Sequence, residues 1–169
     1  MESLTRIVRV ATADAVDIKQ LADVAARTFP LACPPSMAAE NIASFVDTNL
    51  SADRFAEYLA DPGRAIFIAA QDGRIIGYAM LVRDHDKAEL SKIYLLPDYH
   101  GTGTASALMD RALATAQAWA LRSVWLGVNQ KNQRAQRFYT KSGFTVSGTR
   151  TFQVGASQEN DFVMTRLLD

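Results

Sequence analysis

Residues 99–109 read YHGTGTASALM. Gly101 and Gly103 sit between a polar stretch and an apolar-periodic run, so the segment is either a phosphate cradle at a helix start or a tight turn feeding a helix. The run that follows puts Leu108, Met109, Ala112, Leu113, Ala116, Trp119 and Ala120 on one stripe, which predicts a helix over 103–121. Upstream, ELSKIYLL (89–96) predicts a strand, stopped by Pro97-Asp98. Small residues at 101–106 leave backbone N–H groups uncovered, and a helix start adds unpaired donors and a partial positive charge, a combination that suits a pyrophosphate. Two other phosphate loops do not fit. Gly103 is followed by Thr104-Ala105 rather than Lys-Ser/Thr, which excludes a Walker loop, and Ser106 stands where a dinucleotide fingerprint needs its third glycine. Taken alone, Gly-Thr-Gly-Thr is more often a turn than an anion site.

Working outward toward the start of the chain, residues 7–11 alternate and predict a short strand. Thr12 stands where a helix cap belongs, and Val16, Leu21, Val24 and Ala25 keep helical spacing to about Thr28. FPLACPPSM (29–37) holds three of the five prolines and predicts a loop. Two short helices follow, one over 38–48 and one opened by Ser51 and ending before Pro62-Gly63. Apolar runs at 65–71 and 74–82 flank Asp72-Gly73, a strong hairpin signal, and 84–87 is a charged turn. Beyond the central helix, SVWLGV (123–128) predicts a strand, 133–141 a helix, and 144–152 and 162–168 two closing strands. The order describes a mixed α/β sheet with helices on its faces, in one domain spanning 1–169 with no repeat or linker.

Composition narrows the partners. Of 169 residues, 49% are hydrophobic and 21% charged, which is globular. Eighteen basic residues balance eighteen acidic ones, which argues against nucleic acid. The single cysteine, Cys33, has no internal disulfide partner and no activating neighbour in its proline-rich segment. The opening MESLTRIVRVATADAVDI lacks the apolar core of a signal peptide, and no run approaches a membrane span, so a cytoplasmic location without membrane attachment is expected.

Two blocks carry a resemblance. His100-Gly101-Thr102-Gly103-Thr104-Ala105, behind Ile93-Tyr94-Leu95-Leu96-Pro97, and Asn132-x-x-Ala135-x-x-Phe138-Tyr139-x-Lys141-x-Gly143-Phe144 stand in the order and spacing of the GNAT superfamily of acyl-CoA-dependent N-acetyltransferases. The first block resembles the family signature Gln/Arg-x-x-Gly-x-Gly/Ala at Gly103 and Ala105 and departs from it at His100. Finer similarity is to the PaiA-like branch, whose members acetylate polyamines; it is carried by residues 45–62, 126–144 and 151–168. The resemblance implies a mixed, mostly antiparallel twisted sheet of six to seven strands with helices on both faces. It also implies acetyl-CoA as cosubstrate, no metal, and a small amine acceptor, spermidine or spermine. A protein, peptide or drug-like amine is the alternative acceptor, a CoA-binding sensor without turnover is the alternative of another class, and pairing into a homodimer is an analogy with relatives.

The chemistry explains which residue types are needed. A primary amine has a pKa of about 10.4 and is almost wholly charged at pH 7, so a proton must leave before it attacks a thioester. The resemblance makes Glu89 the base, acting through water; the alternative is an exposed strand-end carboxylate. It puts Tyr139 at the CoA sulfur as proton donor, against a core tyrosine beside Phe138. Asn132 is expected either on the pantetheine amides or as a helix cap, and one residue can do both. The backbone of Ile93, Tyr94 and Leu95 is expected to pair with pantetheine, with a bulge freeing the Leu95 N–H to polarise the thioester carbonyl. His100, Gly101, Thr102, Gly103, Thr104 and Ala105 form the pyrophosphate cradle, and Lys141 either reaches a CoA phosphate or is an exposed helix lysine. Asp53, Glu57 and Asp61 recur every four residues, favouring a solvated helix face over a polyamine site, Trp119 and Trp125 read as core, and His85 has no partner for a metal.

Overall fold

A computed structural model describes residues 8–14 and 17–169. The elements run β1 (Val8–Thr12), α1 (Ile18–Ala32), α2 (Ala39–Asn49), α3 (Ala52–Ala60), β2 (Arg64–Gln71), β3 (Arg74–Asp84), β4 (Lys87–Leu95), a 3-10 turn (Pro97–Tyr99), α4 (Thr104–Ala118), β5 (Ser123–Asn129), α5 (Gln133–Lys141), β6 (Thr145–Val154) and β7 (Ser157–Leu167). One seven-stranded sheet has the order β1-β2-β3-β4-β5-β7-β6, antiparallel throughout except between β4 and β5. Leu108, Met109, Ala112 and Ala116 of α4 pack one face of the sheet, while Leu21, Val24, Phe29 and Phe55 of α1 and α3 pack the other. Helices on both faces are as expected. No described helix is long and apolar enough to cross a membrane.

Local chemistry accounts for most boundaries. Asp72 (φ 52°) and Gly73 (φ 75°) both take the left-handed region, as a tight hairpin turn of the primed type requires. Ser51 caps α3, its Oγ accepting from Arg54 N–H at 3.2 Å. Arg54 pairs with Glu57 and Arg64 with Asp61, so the acidic stripe on α3 is a solvated, ion-paired face.

Three expectations need correction. Thr12 does not cap a helix: it pairs with Phe67 and ends β1, and Ala13 N–H continues the ladder to Ile66 O at 2.9 Å, which holds the chain extended. The helix starts later, behind Asp17, whose carboxylate accepts from Asp14 N–H at 3.0 Å. Ile7 of the expected strand and Val16 of the expected helix lie outside the described residues. Second, α1 runs through Pro30 to Ala32, where a loop was expected from Phe29. Pro30 sits in the last turn, where it removes one helix bond, and Phe29 is held by stacking on Phe45 (centroids 4.4 Å apart) and by the edge of Tyr94 (6.3 Å). Third, β7 begins at Ser157, because a turn at Gly155-Ala156 folds the polar stretch back along β6.

The feature that matters for function is in the middle of the sheet. β4 and β5 pair only at Lys87↔Ser123, Ala88↔Val124 and Glu89↔Trp125, then part. The cause is in β4: Leu81 pairs with Leu90 but Met80 with Lys92, so Ser91 is an extra, bulged residue that bends the strand away. The bulge expected in this strand is present.

Candidate active site

The gap between β4 and β5 opens into a cavity of about 830 Å³, walled by β4, the turn before α4, α5, and on the far side by α1–α3 and β6–β7. Backbone polarity is the first asset. Leu96 N–H bonds to Ile76 O directly opposite it at 2.8 Å, so by antiparallel alternation Tyr94 and Lys92 direct their backbone groups at β3. Ile93 and Leu95 turn theirs to the gap. Of the three residues expected to offer backbone there, Tyr94 instead pairs its backbone with β3, though it also lines the cavity.

The glycine turn closes one end. Gly101 (φ 79°) and Gly103 (φ 84°) adopt a backbone that side chains resist, both line the cavity, and a Cβ at either would meet no neighbour within 4 Å. Gly103 is the N-cap of α4 and no side chain caps that helix, so its first N–H groups face an open cradle. Ala105 and Ser106 line it as well. Thr102 and Thr104 do not line the cavity; their hydroxyls bond each other at 2.9 Å and Thr102 Oγ1 donates to Tyr99 O, fixing the turn from beneath. His100 Nε2 donates to Leu95 O at 2.9 Å, which ties the turn to the end of β4. The opening glycine stretch therefore has the construction of an anion cradle made of main chain.

Helix α5 supplies the opposite wall. Asn132 caps it, Oδ1 accepting from Ala135 N–H at 3.2 Å, and the same side chain lines the cavity. Tyr139 packs edge-on to Phe144 at 6.2 Å; its hydroxyl has no hydrogen-bond partner among the described residues, and burial pushes its phenol far above the ordinary value. It stays protonated at any working pH, as a proton donor must. Lys141 is exposed yet lines the cavity, with Arg134 and Arg137 on the same helix.

On the far side Glu89 stands at the fork of β4 and β5, its Oε2 3.7 Å from Arg150 Nη1. Arg150 also donates from Nε to buried Asp161 at 3.1 Å and lies over Trp125 and Phe152. It occupies the widening gap: a Cβ at Gly127 of β5 would run into its guanidinium. Burial raises the Asp161 carboxyl despite the opposing pull of Arg150. Glu159 accepts from Asn129 Nδ2 at 3.2 Å and Ser157 Oγ at 2.8 Å. Cys33 donates to Phe29 O at 3.5 Å, and burial, aided by Glu159, pushes its thiol up to about 11, which keeps it unreactive.

Structure thus gathers Glu89, Ile93, Tyr94, Leu95, His100, Gly101, Gly103, Ala105, Asn132, Tyr139 and Lys141 on one cavity and leaves Thr102 and Thr104 behind it. Sequence reasoning missed Lys92, Arg150 and Asp161, which lie in alternating strands with nothing local to single them out. The 134, 137, 141 spacing on α5 is a basic stripe that was there to be read.

The chain is 68% identical over 153 residues to an uncharacterized N-acetyltransferase of Mycobacterium tuberculosis, covering 90% of this chain and 98% of that protein. It is 34% identical over 103 residues to the mycothiol acetyltransferase of Mycobacteroides abscessus, covering 58% of this chain and 34% of that one. The PaiA N-acetyltransferase from Thermoplasma acidophilum, solved in complex with coenzyme A, superposes with a TM-score of 0.85 at 21% identity over 96% of this chain and 99% of the other. The ribosomal-protein-S18-alanine N-acetyltransferase from Escherichia coli superposes at 0.76, with 19% identity over 96% and 95%. Residues 20–144 match the acetyltransferase (GNAT) family model, and the chain belongs to that family of N-acetyltransferases.

Proposed function

We propose that this enzyme moves the acetyl group of acetyl-CoA to the primary amine of a small molecule by direct attack on the thioester. The splayed β4/β5 gap, closed by the uncapped start of α4, is the observation that supports this reading most. In it the pyrophosphate lies on the Gly101–Gly103 turn, flanked by the cations of α5. Pantetheine extends along Ile93 and Leu95 like an added strand, with Asn132 on its amides. The amine loses its proton toward Glu89 through water and attacks the thioester carbon; the C–S bond breaks, and the Tyr139 hydroxyl protonates the thiolate.

The likeness to the PaiA-like branch and the carboxylates Glu89, Glu159 and Asp161 on the lining favour a polyamine such as spermidine as the acceptor. Against it, Asp161 and Glu89 already face Arg150, and Arg64 and Lys92 line the same pocket. Thiol release from acetyl-CoA, with and without spermidine, tests both levels. Amine-dependent release that falls about a hundredfold in kcat in Tyr139→Phe supports the transfer and the acid role. Spermidine failing while another amine succeeds discards the polyamine alone, and no release with any amine overturns the transfer.

A further inference from the structure

The acceptor half of the cavity holds charge that the transfer step does not use. Lys92 is largely buried on β4, its Nζ 3.3 Å from Ser91 Oγ and 5.8 Å from the centre of the Tyr58 ring. Arg64, at the start of β2, brings its guanidinium to 4.7 Å from that same ring. Both cations and the ring line the cavity. Arg64 has a partner in Asp61, at 3.1 Å. Lys92 has no carboxylate within ion-pair distance among the described residues: Glu89, the acid on its own strand, is paired with Arg150.

A buried ammonium without a counter-charge is expensive, and the strain is visible in its acidity: burial pushes Lys92 down to about 8, with Arg64 adding to the fall and Glu89 opposing it. Such a site is completed by one negative charge. A polyamine would bring further ammonium groups beside Arg64 and Lys92, a like-charge contact that costs affinity. The space is roofed by Phe45, which contacts Phe29 on one side and Phe152 on the other, and by the β6–β7 turn bonded to α2 through Ala156 N–H and Asn41 Oδ1 at 2.9 Å. A compact acceptor fits such a chamber.

We propose that Lys92, with Arg64 beside the same Tyr58 ring, holds a carboxylate of the acceptor, so that the enzyme acetylates a small amine carrying a carboxylate. This rests on the acetyl-transfer reading above and names its substrate class.

The experiment uses three amines of matched length: 5-aminopentanoate, pentylamine and cadaverine. The expected kcat/KM favours 5-aminopentanoate by about tenfold or more over the other two, the scale of a hydrogen-bonded charge pair. Lys92→Met should erase that preference, and Lys92→Arg should keep a part of it. Arg64→Gln, which leaves Lys92 in place, should reduce it severalfold and serves if Lys92→Met does not fold. Equal or better use of pentylamine or cadaverine by the unaltered enzyme, or a preference that survives Lys92→Met, overturns the proposal. If none of the three is acetylated, calorimetric titration of the CoA-saturated protein with 5-aminopentanoate and pentylamine still decides: binding of the first alone supports the anion site, and binding of neither or both equally overturns it.

Discussion

The two halves of the cavity are built from different materials. The donor half is mostly main chain: the Ile93 and Leu95 backbone, two left-handed glycines and a helix start without a side-chain cap, with Asn132, Tyr139 and the α5 cations beside them. The acceptor half is side chain: Glu89, Arg150 and Asp161 in one chain of ion pairs, Lys92 and Arg64 around Tyr58, and an aromatic roof. Main-chain groups recognise what every acyl-CoA shares, and tolerate changes of side chain. Side-chain charges recognise what differs between acceptors, and do not.

The sharpest break in that contrast comes from Arg150→Met. It removes the one cation shared by Glu89 and Asp161, and leaves the buried Asp161 carboxylate with none. Acceptor kcat/KM should fall about a hundredfold, and chemical denaturation should show a loss of about 2 kcal/mol, Arg150 being partly exposed. Acetyl-CoA binding by calorimetry should change little. A loss of acetyl-CoA affinity as large as the loss of acceptor use would mean the halves are not separable.

The mirror experiment is Gly103→Ala. Its φ of 84° costs a side chain about 1 kcal/mol, and the turn relieves that strain by moving off the cradle. The acetyl-CoA KM should rise about fivefold with the acceptor KM unchanged, whereas Thr102→Ala, which removes only the hydroxyl that braces the turn, should act through thermal stability instead. An equal rise in both KM values would contradict the division.

A third separation uses pH. The ordinary lysine value is 10.5 and burial lowers Lys92 to about 8, so the ammonium is present below about 8 and is lost as pH rises through it. Glu89 on the same strand, Arg64 on β2 and Tyr58 on α3 are the groups that face it. The kcat/KM preference for a carboxylate-bearing amine should therefore decline above pH 8, while acetyl-CoA binding shows no break there. In Lys92→Arg the decline should vanish, because guanidinium does not titrate in that range. The stability sign is the reverse of a salt bridge. The folded chain releases this proton before the unfolded chain does, so the burial cost is fully present below about 8 and is relieved as pH rises toward 10.5.

The same contrast explains what was legible in the sequence. Main-chain sites leave a residue signature, because glycine is strongly favoured in the Gly101 and Gly103 conformations and Pro97 stops the strand before them, while the bulge in that strand was expected from the resemblance alone. The donor half, its order of elements and the Asp72-Gly73 hairpin could therefore be read. Side-chain sites built across distant strands leave none. Arg150, Lys92 and Asp161 occupy ordinary positions in alternating strands, and their meeting depends on how β4 and β5 part. Thr12 and Pro30 failed as boundary signals for the complementary reason: ladder pairing to β2 and packing of Phe29 on Phe45 outweighed local preference.

Asp53 and Glu57 supply the smallest effect and bear on where specificity begins. They lie on the exposed face of α3, and Glu57 is already engaged by Arg54 at 2.9 Å. If they drew a polycation toward the pocket, Asp53→Ala with Glu57→Ala would lower kcat/KM for cadaverine and leave 5-aminopentanoate alone. The division between the halves requires neither to change, at low or at high salt, because Glu57 is already paired with Arg54 and exposed charge on α3 is screened by solvent. A salt-sensitive loss confined to the diamine would move acceptor selection from Lys92 to the surface of α3, and would restore the polyamine reading on a physical footing.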